Sequence, residues 1–176
     1  MEKIAHDTGL YSLGKGIVKF DRFDADGLPT GLRDMGNAPA FNLNVEIETL
    51  EHYSSRESTK VLDKEVTMIK RLKGTFTLDE KDRENLRLYF LSATGSYAIR
   101  PLTVSEIRGE LDFLSTNEVG PQWHVQVWDA KIKPTGEQGF IQDADWGTMG
   151  FEFTAQSDEV NHPNEPYAII TLIGES

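Results

Sequence analysis

The sequence predicts one mainly β domain with a single helix, and three observations predict it. Phe41–Glu48 alternates apolar and polar residues one for one, the period of a strand that turns one face to a core. Only Asp79–Ser92 carries helical spacing, and after it every apolar run is short and bounded by Gly, Pro, Asn or Asp, as strands and their turns are. At 176 residues the chain is long enough for one real core.

Taken in order, residues 1–10 read as an N-terminal arm. Tyr11–Phe23 predicts a strand with Leu13, Ile17, Phe20 and Phe23 directed to the core. Asp24-Ala-Asp-Gly27 and Leu28-Pro-Thr-Gly31 are turns. Gly36-Asn-Ala-Pro39 opens the strand Phe41–Glu48, with Phe41, Leu43, Val45 and Ile47 on one face and Asn42, Asn44, Glu46 and Glu48 on the other. Thr49–Lys60 is too polar to bury. It predicts a loop, mobile in a monomer and a docking element in an assembly.

Val61–Thr77 has strand character and stops at Thr77-Leu-Asp-Glu80, a capping-box pattern. The helix then runs from Asp79 to Ser92. Its first turn holds Asp79, Glu80 and Asp82, which suits the positive end of the helix dipole. Leu86, Tyr89 and Phe90 form its apolar stripe, and Gly95 is its stop. Strands follow at Tyr97–Val104, Arg108–Leu114, Trp123–Ile132, Gly150–Gln156 and Tyr167–Ile173. Trp123, Val125 and Val127 share one face and read as core. Gly136–Gly147 is a polar loop punctuated by Phe140 and Trp146. The pattern implies a β-sandwich or barrel with one helix laid over it, whose last strand is an aggregation hazard unless its edge is paired.

The chain has no cysteine, which excludes disulfides, thiolate catalysis and Cys-based zinc sites. No apolar run is long enough to span a bilayer. The N-terminus lacks the basic start and apolar centre of a signal peptide, so synthesis and retention in the cytoplasm are expected. The formal net charge of −11 is uneven: Pro134–Ser176 holds eight Asp and Glu and neither Lys nor Arg, whereas Lys60–Arg87 is rich in both signs. The acidic end is either a solvated surface or a partner for the basic middle. Sequence-independent binding of duplex nucleic acid, which needs a positive surface, is not expected.

Catalytic and metal motifs are absent. His6, His52, His124 and His162 make no i, i+4 pair. Asp24 and Asp26 match part of a calcium loop, but Arg22 and Arg33 occupy its first and twelfth positions, so a plain turn is the reading. Asp143 and Asp145 have no further oxygen ligands nearby in sequence. Gly14-Lys-Gly16 lacks the third glycine and helix of a dinucleotide site. The expectation is a protein that is not an enzyme, with no catalytic residues, cofactor or metal. Trp123, Trp128 and Trp146 leave open a sugar-stacking platform. Trp128 and Trp146 are equally readable as interface anchors.

The segment Gly14–Leu91 resembles the N-terminal two-thirds of the major tail-tube proteins of siphophages, which have long non-contractile tails. The residues that carry the resemblance are Gly14-Lys-Gly-Ile-Val18, Gly36-Asn-Ala-Pro39 and the strand to Glu48. The polar Tyr53-Ser-Ser-Arg-Glu-Ser58 stretch follows, then the long strand to Phe76 and Leu78-Asp-Glu80 with Asn85-Leu86. The resemblance implies a sandwich-like barrel of the tail-tube type, with an extended loop and flexible terminal arms. It implies hexameric rings stacking head to tail into a tube that delivers genomic DNA without binding it specifically. Residues 1–176 then form one tail-tube domain, with arms at 1–10 and 160–176. The 49–60 loop would join subunits through Leu50, Tyr53, Ser54, Ser55, Arg56 and Glu57, and Asn42, Asn44, Glu46 and Glu48 would face the lumen as a negative, polar wall. Implied partners are the tape-measure and the tail-tip and terminator proteins, with no membrane, in a virion tail assembled in the host cytoplasm. Alternatives are the inner tube of a contractile tail or type VI-like secretion machine, and a carbohydrate-binding β-sandwich module.

Overall fold

Eight strands in one antiparallel sheet, one short α-helix and a single 3-10 turn at Thr8–Leu10 make up the regular structure of the computed structural model, which describes residues 6–174. The strands are β1 (Gly16–Arg22), β2 (Arg33–Asp34), β3 (Ala40–Ser54), β4 (Val61–Leu78), β5 (Ile107–Ser115), β6 (Trp123–Thr135), β7 (Met149–Ala155) and β8 (Ala168–Leu172), with α1 (Arg83–Tyr89) between β4 and β5. They lie in the order β2-β1-β5-β6-β7-β4-β3. β8 pairs the first half of β6, from Trp123 opposite Leu172 to Val127 opposite Ala168, while β7 pairs its second half. The mainly β, single-helix class expected from the sequence is the observed one.

Alternation decides which residues meet. Val18 and Phe20 of β1, Leu111 of β5, Val125, Val127, Ala130 and Ile132 of β6, Phe151 and Phe153 of β7, and Phe76 and Leu78 of β4 all bury on the inner face. The sheet curls until opposite parts of that face touch: Phe41 of β3 stacks on Phe113 of β5 with ring centroids 4.7 Å apart. Helix α1 covers the core near Thr135, where Tyr89 is buried and its hydroxyl donates to the Gly136 carbonyl at 2.7 Å. This is the lower end of the sheet, where β6 stops and β7 starts. The upper end holds Trp123, Ser115 and the start of β1, and no α-helix among the described residues covers it.

Several expectations are corrected. β3 runs six residues past Glu48, so the Thr49–Lys60 loop shrinks to residues 55–60 and its first part is strand. Polarity had suggested a loop there, yet strands with no layer over them need no apolar face. The Thr77–Glu80 capping box does not form, because Thr77 is paired with Ala40 inside β4. Glu80 instead accepts from the Asn37 amide at 2.9 Å. The helix starts later, with the Asp82 carboxylate accepting from the Asn85 amide at 2.7 Å. It also ends before Gly95, through Leu91 in the left-handed region at φ 49°.

Tyr97–Val104 forms turns rather than a strand. The first strand begins at Gly16, not Tyr11, and Leu13 is exposed while Phe20 is buried. Trp123 is 40% exposed rather than core. Residues 1–5 of the predicted N-terminal arm and 175–176 of the C-terminal segment lie outside the described residues. Residues 168–172 of that segment form β8 and pair with β6.

Candidate functional site

β7 pairs β4 only from Leu78 to Lys73, and Lys73 lies opposite Asn44 of β3. Beyond that row β3 and β4 pair with nothing but each other. Val45–Ser54 and its partner strand therefore leave the upper end as a two-stranded ribbon about 33 Å long, at about 3.3 Å per residue. Such a ribbon is marginal by itself in water. Two register shifts, between Glu48 and Thr49 and between His52 and Tyr53, add twist and change which residues share a face.

The ribbon carries exposed apolar residues on both faces, among charged ones. Val45, Ile47 and Met68, with exposures of 65%, 56% and 62%, continue the inner face, while Leu50, Val66 and Ile69 share the face of Asn44 and Glu46. Among the described residues, both strand edges lack a partner along this length. Exposed edges and contiguous apolar surface of this kind mark interaction sites.

The predicted inter-subunit residues fall at the outer part of this ribbon. Leu50 is 62% exposed, and Tyr53 at 45% donates its hydroxyl to Glu51. That carboxylate, by accepting the hydroxyl, holds the Tyr53 phenol above its usual range. Ser54 closes β3, and Ser55, Arg56 and Glu57 make the tip, where the Ser54 hydroxyl accepts from the Arg56 amide at 3.4 Å.

Asn42, Asn44, Glu46 and Glu48 do share one face, the outer one, but they do not form a negative wall. Glu46 pairs with Lys73 and Arg71, and Glu48 pairs with Arg71. The hydrogen bond from Lys73 holds the Glu46 carboxyl below the ordinary carboxylate range. The pairing rows continue this mixed surface across the sheet: Asn42, Thr75, Glu152 and Lys133 in one, Asn44, Lys73, Thr154, Lys131 and Arg108 in the next. Glu46 and Glu48 are thus neutralised by Lys73 and Arg71, so the β3–β4 part of the outer face is polar and close to neutral.

The acidic C-terminal quarter and the basic middle form no ion pair with each other among the described residues. The bases of the middle that form bridges, Arg71, Lys73 and Arg87, pair with Glu46, Glu48 and Glu84. Asp24 is a turn residue, accepting from the Asp26 and Leu28 amides at 2.9 Å each. No group of three His, Asp or Glu residues able to hold a metal occurs among the described residues. His52 and His124 contact Asp63 and Asp112. The three tryptophans do not converge. Trp123 sits at the upper end, Trp128 is half-buried against His162 in the middle of the outer face, and Trp146 is in the loop at the lower end. A shared sugar platform is thereby removed, and Trp128 is occupied within the chain.

Two surfaces escaped the sequence reading. One is the β4 side of the ribbon, where Val61, Leu62, Val66, Met68 and Ile69 are exposed; their density in a charged stretch was the available signal. The other is an open hollow of about 360 Å³ at the upper end, lined by Phe41, Leu43, Phe113, Trp123, Val125 and Ile170. It assembles residues from four strands, which no local pattern reveals.

A family model described as "Protein of unknown function UCP028589" matches residues 11–107. No curated protein matches the chain. Among solved structures, the sheath/tube terminator of PVC, an extracellular contractile injection system, in its extended state, is 11% identical over 96% of this chain and 99% of that one, with a TM-score of 0.41. The overlap is too loose for one fold to be read from the other. No helix among the described residues is long and apolar enough to cross a membrane.

Proposed function

Starting from a chain that belongs to the family described as "Protein of unknown function UCP028589", we propose that it is a structural subunit of a tail-type tube, not a catalyst. The observation that carries this is the ribbon, which projects about 33 Å from the sheet with apolar residues on both faces and both edges open. A monomer gains nothing from such an element, because exposed edges and apolar faces lower solubility. Copies of the chain gain a strand edge and a surface to bury. The sequence resemblance of Gly14–Leu91 to siphophage major tail-tube proteins supports the same reading and supplies its finer form: hexameric rings stacked into a channel for DNA, in a virion tail, with tape-measure, tip and terminator proteins as partners.

The near-neutral β3–β4 part of the outer face is compatible with a channel wall. Matched pairs such as Glu46 with Lys73 offer no field to trap phosphate. The test is negative-stain electron microscopy of the concentrated full chain beside a variant lacking residues 50–60. The full chain is expected to form rings or tubes, and the variant to stay a folded monomer. Tubes of ordinary appearance from the shortened chain would overturn the role of the ribbon. A full chain that stays monomeric at every concentration would overturn the proposal as a whole.

A further inference from the structure

The two ends of the sheet carry unlike apolar surfaces. At the upper end, the hollow lined by Phe41, Leu43, Phe113, Trp123, Val125 and Ile170 opens beside the root of the ribbon. Phe41, Leu43, Val45 and Ile47 occupy successive inner-face positions of β3. The hollow and the inner side of the ribbon therefore form one continuous apolar surface, with Lys70, opposite Ile47, at its centre. Lys70 has no ion pair among the described residues.

At the lower end, the connection between β6 and β7 presents Phe140, Ile141 and Trp146, exposed by 73%, 88% and 93%. The connection is anchored at its base: Phe140 stacks on Phe90 with centroids 6.3 Å apart, and Lys81 donates to the Gly139 carbonyl at 2.7 Å. Its own charges are Glu137, Asp143 and Asp145, with no Lys or Arg in the segment. None of these carboxylates is in an ion pair among the described residues.

We propose that the 136–147 connection of one copy seats Ile141 and Trp146 in the upper hollow and on the inner ribbon face of the next copy, with Lys70 meeting Asp143 or Asp145. This deepens, and rests on, the reading of the chain as a self-assembling subunit. It names the surface that receives the upper end. Because the two surfaces lie at opposite ends, the contact is heterologous, and repeating it builds a polar column rather than a closed dimer. A large exposed indole on an anchored loop has the character of an interface anchor, and the hollow falls within the size range of preformed apolar sites.

The chain has no cysteine, so single introduced thiols report this contact cleanly. Equal amounts of full-length Ala144→Cys and Val45→Cys chains, both keeping Trp146, are mixed and oxidised, alongside each alone; Ala144 is an exposed position of the same connection. A mixed disulfide forming at least tenfold faster than either homodimer is the expected result. Homodimers of Ala144→Cys forming as fast would show a two-fold contact and overturn the inference. In parallel, Trp146→Ala should keep the parent circular dichroism, since its side chain is exposed, while raising the concentration needed for assembly at least tenfold. If the parent forms tubes and Trp146→Ala forms them equally well, this contact is overturned and the tube reading stands. If the parent forms no assembly and the mixture gives no mixed disulfide, both are overturned.

Discussion

The Trp128 indole lies flat against the His162 imidazole, with ring centroids 3.8 Å apart and 1° between the planes. The Trp128 Nε1 donates to the Glu165 carbonyl at 2.7 Å, and Asp158 accepts from Asn161 and contacts the His162 ring at 3.1 Å. Together these clamp the connection between β7 and β8 across the outer face. Trp128→Ala should cost about 2–3 kcal/mol, from lost packing and stacking. Trp128→Phe, which loses only the donor and part of the ring, should cost about 1 kcal/mol. Urea unfolding measures both, and the Ala variant should be cut first by protease within residues 157–167. The Asn161 side chain, and then His162, hold the Asp158 carboxyl below its ordinary value. A depressed carboxylate stabilises above its unfolded pKa and loses that contribution as pH falls through the folded one. Protection of this segment should therefore decline below about pH 4.

Glu110 faces Asp21 across the β1–β5 pairing, and Asp112 follows it on the same face of β5. Burial first, then the charges of Asp112 and Asp21, push the Glu110 carboxyl above the ordinary carboxylate range. With the folded-state value raised, ionisation opposes folding. The penalty is absent below the ordinary carboxylate value, grows as pH climbs through the raised one and is complete above it. Glu110→Gln should raise the melting temperature at pH 7 and leave it unchanged near pH 3. An equal shift at both pH values would assign the effect to shape instead of charge.

Gly109 lies where β5 crosses β1 and the pairing with β6 shifts register. A Cβ built there would stand 2.1 Å from the Asp21 carbonyl and 2.6 Å from the Phe20 ring. The carbonyl belongs to paired backbone and cannot step aside as a side chain tip would. Gly109→Ala should destabilise by about 1–3 kcal/mol in denaturant titrations, as overpacking does. Gly95→Ala, with open space around it but φ at 89°, is the control for backbone strain alone.

Asn85 is fully buried and ties three segments together. Its side-chain amide donates to the Met35 and Glu80 carbonyls at 2.9 Å each and accepts from Arg33 at 2.6 Å. Asn85→Ala should cost about 2–4 kcal/mol, because it strands the buried Met35 carbonyl. Asn85→Asp keeps the acceptor for Arg33 but sets oxygen against two carbonyls, and should be no better. Calorimetry of both variants checks the order.

The sequence made the strands of the core legible because alternation there coincides with burial. Arg108–Leu114, Trp123–Ile132 and Gly150–Gln156 match β5, β6 and β7 to within a few residues. Alternation names a face without saying what covers it, which is why Val45 and Ile47 read as core yet stand in solvent. The 49–54 stretch was misread because polar composition signals a loop only where a strand would need an apolar side. The helix starts later than the Thr77 pattern implies, because the Asp82 carboxylate and not the Thr77 hydroxyl caps it. The upper hollow was beyond reach, since Phe41, Phe113 and Ile170 meet only after the sheet has curled.

β6 shares one of its sides between β8 above and β7 below. Tension applied to the chain beyond Ile173 would load its hydrogen bond to the Gln122 carbonyl first and then peel β8 away from β6 one rung at a time. β7 would keep its own partners on β6 and β4 throughout. The last strand can thus unzip from its one neighbour under such a pull while the other seven strands keep their pairing.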